Sequence, residues 1–288
     1  MESTIEVDER RVATTEGEVR IRVYSPLAPV GAAGVVWCHG GAFAYGDIDM
    51  PESDWVCREF ARAGRTAVSV DYSLCDPTPF ETGEGPTTEA REVPVAAVQV
   101  RDCAREVLEG RIDGRVDGWF IGGASAGANL ALAACRMLID EGGPVPLGVL
   151  LAYPIVHAEL PVASDEIRSA CAKSAGPWPV FTDEMVRRMS LGHAGGASNF
   201  GAAYFFPGDG PLGGLPPLRI VNSEFDSLRA SGELLAEQAS AAGCAVEVDV
   251  EPGTEHGHIN TPDHPTAMRT MMRFLDWMDG IGDSSGDR

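Results

Sequence analysis

The chain predicts an α/β protein with a mostly parallel central sheet, helices on both faces and one helical lid insertion. Three observations carry this. Short β-branched apolar segments alternate with amphipathic ones along most of the 288 residues, the order of strand–helix–strand units. Several of the short segments are apolar throughout, as strands buried on both faces are. One of them runs into a Gly-x-Ser-x-Gly turn and then an Ala-rich segment at helical spacing.

Val19 to Tyr24 alternates apolar and polar residues, the pattern of a half-buried strand. Gly34 to Cys38 and Thr66 to Tyr72 are short β-branched strands, and between them Ser53 to Ala63 places Trp55, Val56 and Phe60 at helical spacing. Asp76 to Glu92 is rich in Pro, Gly, Thr and Glu and is expected to be a surface excursion. Val95 to Leu108 predicts a helix, Gly118 to Gly122 a strand, Ala126 to Ile139 an Ala-rich helix and Leu147 to Tyr153 an apolar strand. Pro154 to Pro217 then breaks the alternation. It holds two helical pieces, Ser164 to Ala172 and Thr182 to Met189, together with Trp178, Phe181, Phe200, Tyr204, Phe205 and Phe206. A long insertion with clustered aromatics is expected to be a lid facing an apolar partner rather than a satellite core under a loop. Leu218 to Asn222, Gly232 to Ala242 and Ala245 to Val250 resume the strand–helix–strand order, and His264 to Met278 closes with a helix. The expected organisation is one domain over residues 1–288, with 154–217 as its cap and Gly280 to Arg288 as a flexible tail.

Composition narrows the function. Asp and Glu number 43 against 22 Lys and Arg, a formal net charge of −21. Such a surface repels nucleic-acid phosphates and anionic lipid. No apolar run reaches the ~18 residues of a membrane span. The N-terminus, Met1-Glu2-Ser3-Thr4-Ile5-Glu6, is acidic with no apolar region, so a cytoplasmic protein without a secretory signal is expected. The seven cysteines (Cys38, Cys57, Cys75, Cys103, Cys135, Cys171 and Cys244) are odd in number and form no C-x-x-C, which fits reduced thiols.

The chemistry concentrates at two turns. Gly123-Ala124-Ser125-Ala126-Gly127 lies between a strand and a helix. A turn that tight requires small flanking residues and exposes the serine hydroxyl above the sheet. His39-Gly40-Gly41-Ala42-Phe43 directly follows the strand ending at Cys38. It reads as an oxyanion hole, with Gly41 and Ala42 donating backbone N–H groups alongside that of Ala126. His39 is then structural, holding the loop. A nucleophilic serine needs a base, and the base an orienting acid. Along the chain these follow in the order serine, acid, histidine. Asp226 and Glu224 both follow the strand ending at Asn222, and periodicity does not choose between them. His256 and His258 compete in the same way after the last strand. His256-x-His258 with Asp263 and His264 has no third ligand at a recognisable metal spacing, and no phosphate-binding glycine motif is present. No metal and no cofactor is therefore expected.

Together these residues resemble the hormone-sensitive-lipase-like branch of the α/β-hydrolase fold, the bacterial family IV carboxylesterases. The resemblance spans about Val19 to Met278 and includes His39 to Phe43, Gly46-Asp47, Val70-Asp71-Tyr72, Gly123 to Leu130, Tyr153-Pro154, Asp226-Ser227-Leu228-Arg229 and Gly253 to Gly257. It implies a Ser125–Asp226–His256 triad, because the family's acid precedes a residue and then Leu-Arg, and its histidine precedes Gly. Three substitutions depart from the family: Ala42 stands where a third glycine is usual, Ala124 where Asp is common, and His258 where an aromatic follows His-Gly. With about eighteen residues ahead of the first strand, the family's N-terminal cap helices look truncated here.

The resemblance implies hydrolysis of short-to-medium acyl esters of small molecules through an acyl-enzyme, by a monomer or homodimer. The same site also suits an amidase, an acyltransferase or a lyase acting on a specialised metabolite. A non-catalytic small-molecule binding protein is the remaining alternative, against which the presence of Ser125, Asp226 and His256 argues.

Overall fold

The computed structural model describes residues 5–28, 33–87, 91–112, 116, 118–176 and 180–285. Its centre is an eight-stranded sheet in the order β1-β2-β4-β3-β5-β6-β7-β8. The strands are β1 (Ile5–Thr14), β2 (Gly17–Pro26), β3 (Gly34–Cys38), β4 (Ala67–Asp71), β5 (Trp119–Ala124), β6 (Val149–Ala152), β7 (Leu218–Ser223) and β8 (Val246–Glu251). β1 and β2 form an antiparallel hairpin, and β2 also runs antiparallel to β4. From β4 onward every pairing is parallel.

The apolar strands are buried on both faces, and their side chains alternate between two cores as the pleat requires. Val36 and Cys38 of β3, Ile121 of β5 and Val149 and Leu151 of β6 enter one core. There they meet α3 (Val95–Leu108), α4 (Ala126–Asp140) and α7 (Arg229–Ala241). Val35 and Trp37, Phe120, and Leu150 and Ala152 enter the other, against α1 (Asp54–Arg62) and α8 (Pro265–Ser285). α4 is buried from Ala126 to Leu138, which its run of alanines permits: small side chains let it lie flat between the sheet and α3. Among the described residues no helix is long and apolar enough to cross a membrane.

Several expectations need correction. The first strand is Ile5–Thr14, so the residues ahead of β2 form a sheet edge. The last helix continues past Gly280 to Ser285; residues 286–288 of the expected tail lie outside the described residues, as do 1–4. The excursion at 76–92 carries a short helix, α2 (Thr78–Thr82), packed against the insertion.

The insertion lies between β6 and β7, as expected, and holds α5 (Asp165–Cys171) and α6 (Asp183–Ala194). Ser164 and Thr182 cap these helices through their hydroxyls, removing one orphan N–H at each start. Its aromatics do not act together. Phe205 and Phe206 form a small separate core with Ala158 and Ala194, and Phe200 packs against it. Tyr204 donates to Asp140 of α4. Trp178 lies outside the described residues. Phe181 reaches the triad described next.

Candidate active site

The chemistry-bearing residues all follow the carboxyl ends of parallel strands, where the loops of an open α/β sheet form a crevice. Ser125 follows β5, the His39 loop follows β3, Asp226 follows β7 and His256 follows β8.

Close packing dictates the turn at Ser125. A side chain on Gly127 would put its Cβ 2.2 Å from the carbonyl oxygen of His39, and one on Gly123 would sit 2.4 Å from the Gly127 carbonyl. The helix therefore approaches the β3 loop backbone to backbone. The strand-to-helix reversal leaves Ser125 at φ 52°, ψ −117°, a conformation that costs on the order of 1–3 kcal/mol and persists because the surrounding packing determines it. Ser125 is 7% exposed.

His256 joins serine to acid. Its Nε2 lies 2.9 Å from Ser125 Oγ and its Nδ1 lies 2.7 Å from Asp226 Oδ2. A carboxylate only accepts, so Nδ1 carries the proton and Nε2 is left to accept from the serine hydroxyl. Asp226 is 1% exposed, and its second oxygen accepts from the Leu228 N–H at 2.9 Å. The His256 ring is braced edge-on by Tyr153 and by Phe181 of the insertion, both with ring centroids 4.8 Å away.

The rivals are placed elsewhere. Glu224 accepts from the Gly253 N–H at 2.6 Å and so holds the turn after β8. His258 is buried between Ser223 Oγ at 2.9 Å and Thr270 Oγ1 at 2.8 Å, tying β7 to α8. That burial lowers its pKa to about 3.

In the loop after β3, the Ala44 and Tyr45 N–H groups both close onto the Gly41 carbonyl, at 3.0 and 2.8 Å. The Gly41, Ala42 and Ala126 N–H groups have no protein acceptor among the described residues. Ala42 and Phe43 adopt φ of 54° and 64°, the left-handed region that disfavours a side chain by about 1–2 kcal/mol. Buried His39 donates from Nδ1 to the Gly40 carbonyl at 2.6 Å and stacks on Tyr72, whose hydroxyl donates to the His39 carbonyl. Burial lowers the His39 pKa, keeping it neutral.

One buried acid escaped the sequence reading. Glu52 is 2% exposed and touches the loop at Gly40. It sits just ahead of α1, where an acidic residue is unremarkable because helix starts favour negative charge.

A family model described as the alpha/beta hydrolase fold matches residues 35–260. Carboxylesterase NlhH of Mycobacterium tuberculosis is 29% identical over 257 residues, covering 84% of this chain and 72% of that protein. Esterase LipI of the same organism is 30% identical over 255 residues, with 84% and 72% covered. The solved esterase of Pyrobaculum calidifontis superimposes with a TM-score of 0.79 at 26% identity, over 97% of this chain and 85% of that one. The chain thus belongs to the α/β-hydrolase fold family, and its Ser125–His256–Asp226 array is the arrangement of a serine carboxylesterase working through an acyl-enzyme.

Proposed function

We propose that the protein hydrolyses short-to-medium acyl esters of small molecules, with Ser125 as nucleophile, His256 as general base and acid, and Asp226 as the residue that orients it. The continuous chain of hydrogen bonds from Asp226 through His256 to Ser125 carries this reading. Ser125 Oγ attacks the ester carbonyl while Nε2 of His256 takes its proton. The imidazolium is stabilised by Asp226, and the oxyanion by the free N–H groups of Gly41, Ala42 and Ala126. His256 gives its proton to the departing alcohol. A water, deprotonated by His256, then attacks the acyl-enzyme and releases the acid and free Ser125.

A cavity of about 210 Å³ opens beside Phe43, directly after the oxyanion loop, and is lined by Leu74, Cys75, Val93, Pro94 and Phe205 among others. A benzene molecule occupies an apolar cavity of ~150 Å³, so this space suits a short or medium acyl chain. We place the enzyme in the cytoplasm, as a monomer or homodimer. Hydrolysis of p-nitrophenyl acetate, butyrate, octanoate and palmitate tests the proposal. Acetate and butyrate should turn over fastest and palmitate slowest, and Ser125→Ala should lower kcat by about 10⁶-fold. Full activity in Ser125→Ala would exclude the mechanism.

A further inference from the structure

Glu52 is a buried carboxylate whose hydrogen-bond partners are neutral. Its Oε1 accepts from the Gly40 N–H at 2.9 Å and its Oε2 from the Tyr153 hydroxyl at 3.0 Å. Both carboxylate oxygens are thus hydrogen-bond acceptors. The backbone of Glu52 is pinned too: Trp37 Nε1 donates to its carbonyl at 2.7 Å, and its N–H donates to Asn260 Oδ1 at 3.1 Å. One residue thus joins β3, the oxyanion loop, the turn after β6 and the segment that follows His256. The close approach at Gly40 is part of this design, since a Cβ there would lie 2.6 Å from Glu52 Oε1 and 3.1 Å from the Ser125 Cβ.

An acid in this position is costly unless something favours its charge. Burial is the largest influence and raises the Glu52 pKa above the usual carboxylate range, while the Tyr153 hydroxyl, the charge of His256 and the Gly40 N–H favour the ionised form. Coupling of this kind is reciprocal: a protonated His256 favours ionised Glu52, and ionised Glu52 favours protonated His256. Resting on the triad reading above, we infer that Glu52 is a positioning residue of the active site. It fixes the Gly40–Ala42 loop and the Tyr153 ring that braces His256, and its negative charge stabilises the imidazolium formed when Ser125 attacks.

Glu52→Gln tests this, because the amide keeps the shape and still accepts from Gly40 while losing the charge. With p-nitrophenyl butyrate, kcat should fall about tenfold to a hundredfold with KM within about twofold. The acid limb of kcat/KM should also move down by up to about one pH unit, as the imidazolium loses a favourable charge. The groups facing His256 are Asp226, Tyr153 with Glu52 behind it, Phe181 of the insertion, and His258 and Glu255 on its own turn. His258 is neutral down to about pH 3, and Glu255 accepts from Ser174 and Gly176. Wild-type kcat, or a loss of rate with the acid limb unmoved, would overturn the inference. Should Glu52→Gln not fold, Tyr153→Phe keeps the ring beside His256 and removes the hydroxyl that donates to Glu52: a severalfold kcat loss at constant KM supports the inference, and wild-type kcat overturns it. Ser125→Ala run alongside separates the two readings. Inactive Ser125→Ala with unaffected Glu52→Gln defeats only this inference, whereas active Ser125→Ala defeats the triad itself.

Discussion

The turn at Ser125 and the insertion between β6 and β7 are both irregular chain at the same edge of the sheet, yet they are built on different terms. The turn is continuous with the core. Its glycines touch backbone, its serine N–H donates to the Ala152 carbonyl at 2.9 Å, and both residues flanking the serine are buried. The insertion keeps a small core of its own around Phe205 and Phe206. It meets the triad loops at a few points: Phe181 against His256, the Phe181 carbonyl accepting from Ser227 Oγ at 2.7 Å, and Ser174 and Gly176 donating to Glu255. The catalytic groups are thereby rigid by packing, while the insertion joins the main core through Val186 and Met189 of α6 and keeps Phe205 and Phe206 apart from it.

A pair of glycines exposes that difference most sharply. Gly127→Ala forces a Cβ to within 2.3 Å of the carbonyl oxygens of both His39 and Cys38. Backbone on both sides leaves no flexible side chain to yield, so a loss of about 3 kcal/mol is expected. Because the oxyanion loop must move, kcat should fall about a hundredfold or more. Gly213→Ala, near the end of the insertion, meets nothing within 4 Å and should change stability by no more than about 0.5 kcal/mol. Urea midpoints and esterase rates for the two variants decide the matter; equal effects would mean the turn is not constrained by packing.

What could be read from the residues follows the same division. Strands β3, β5 and β6 were legible because they are buried on both faces and uniformly apolar, and Ser125 because its turn demands a sequence that few other contexts require. β1 was invisible because it is an edge strand with Val12 as its single buried residue, which leaves no alternation to detect. Asp226 and Glu224 were indistinguishable by pattern, since the loop after β8 meets both and the choice depends on which one faces His256 rather than the Gly253 N–H. Glu52 was missed because its role is created by residues distant in the chain, Tyr153 and Asn260 among them. The aromatic cluster of the insertion suggested an apolar opening, yet Phe200, Phe205 and Phe206 pack on one another, and of these Phe205 also lines the cavity beside Phe43.

The next contrast lies within a single turn. His256 and His258 are two residues apart, but one faces the serine and the other is locked between Ser223 and Thr270. His256→Ala should abolish turnover with little effect on stability, whereas His258→Ala should reverse that balance. His258 also predicts an acid sensitivity. Its pKa falls from 6.5 to about 3 on folding, and that of buried His193 falls to about 4. The unfolded chain therefore binds more protons than the native one at mildly acidic pH. Stability is fully present above about pH 6.5 and declines as pH drops toward the folded values, by about 2 kcal/mol per histidine on reaching pH 5. Urea titrations at pH 7 and pH 5 measure this, and His258→Gln should flatten the slope. An unchanged slope would mean that His258 is not neutral in the folded protein.

The smallest expected effect tests whether the insertion takes part in catalysis. Phe181 is half-buried and meets the His256 ring edge-on, at an interplanar angle of 81°. Edge-to-face contacts of this kind contribute about 0.5–1.5 kcal/mol, enough to bias one imidazole orientation but not to hold the fold. Phe181→Ala should leave the unfolding midpoint nearly unchanged and lower kcat/KM for p-nitrophenyl butyrate by about two- to tenfold. The ratio of octanoate to butyrate turnover should rise, because removing the ring opens space beside the histidine. Tyr153 still braces the other contact, so activity should persist. A variant with both the wild-type rate and the wild-type chain-length profile would show that the Phe181 ring covers the site without shaping it, leaving selectivity to the loop after β3 and the cavity beside Phe43, which the insertion lines with Gly192 to Gly195 and Phe205.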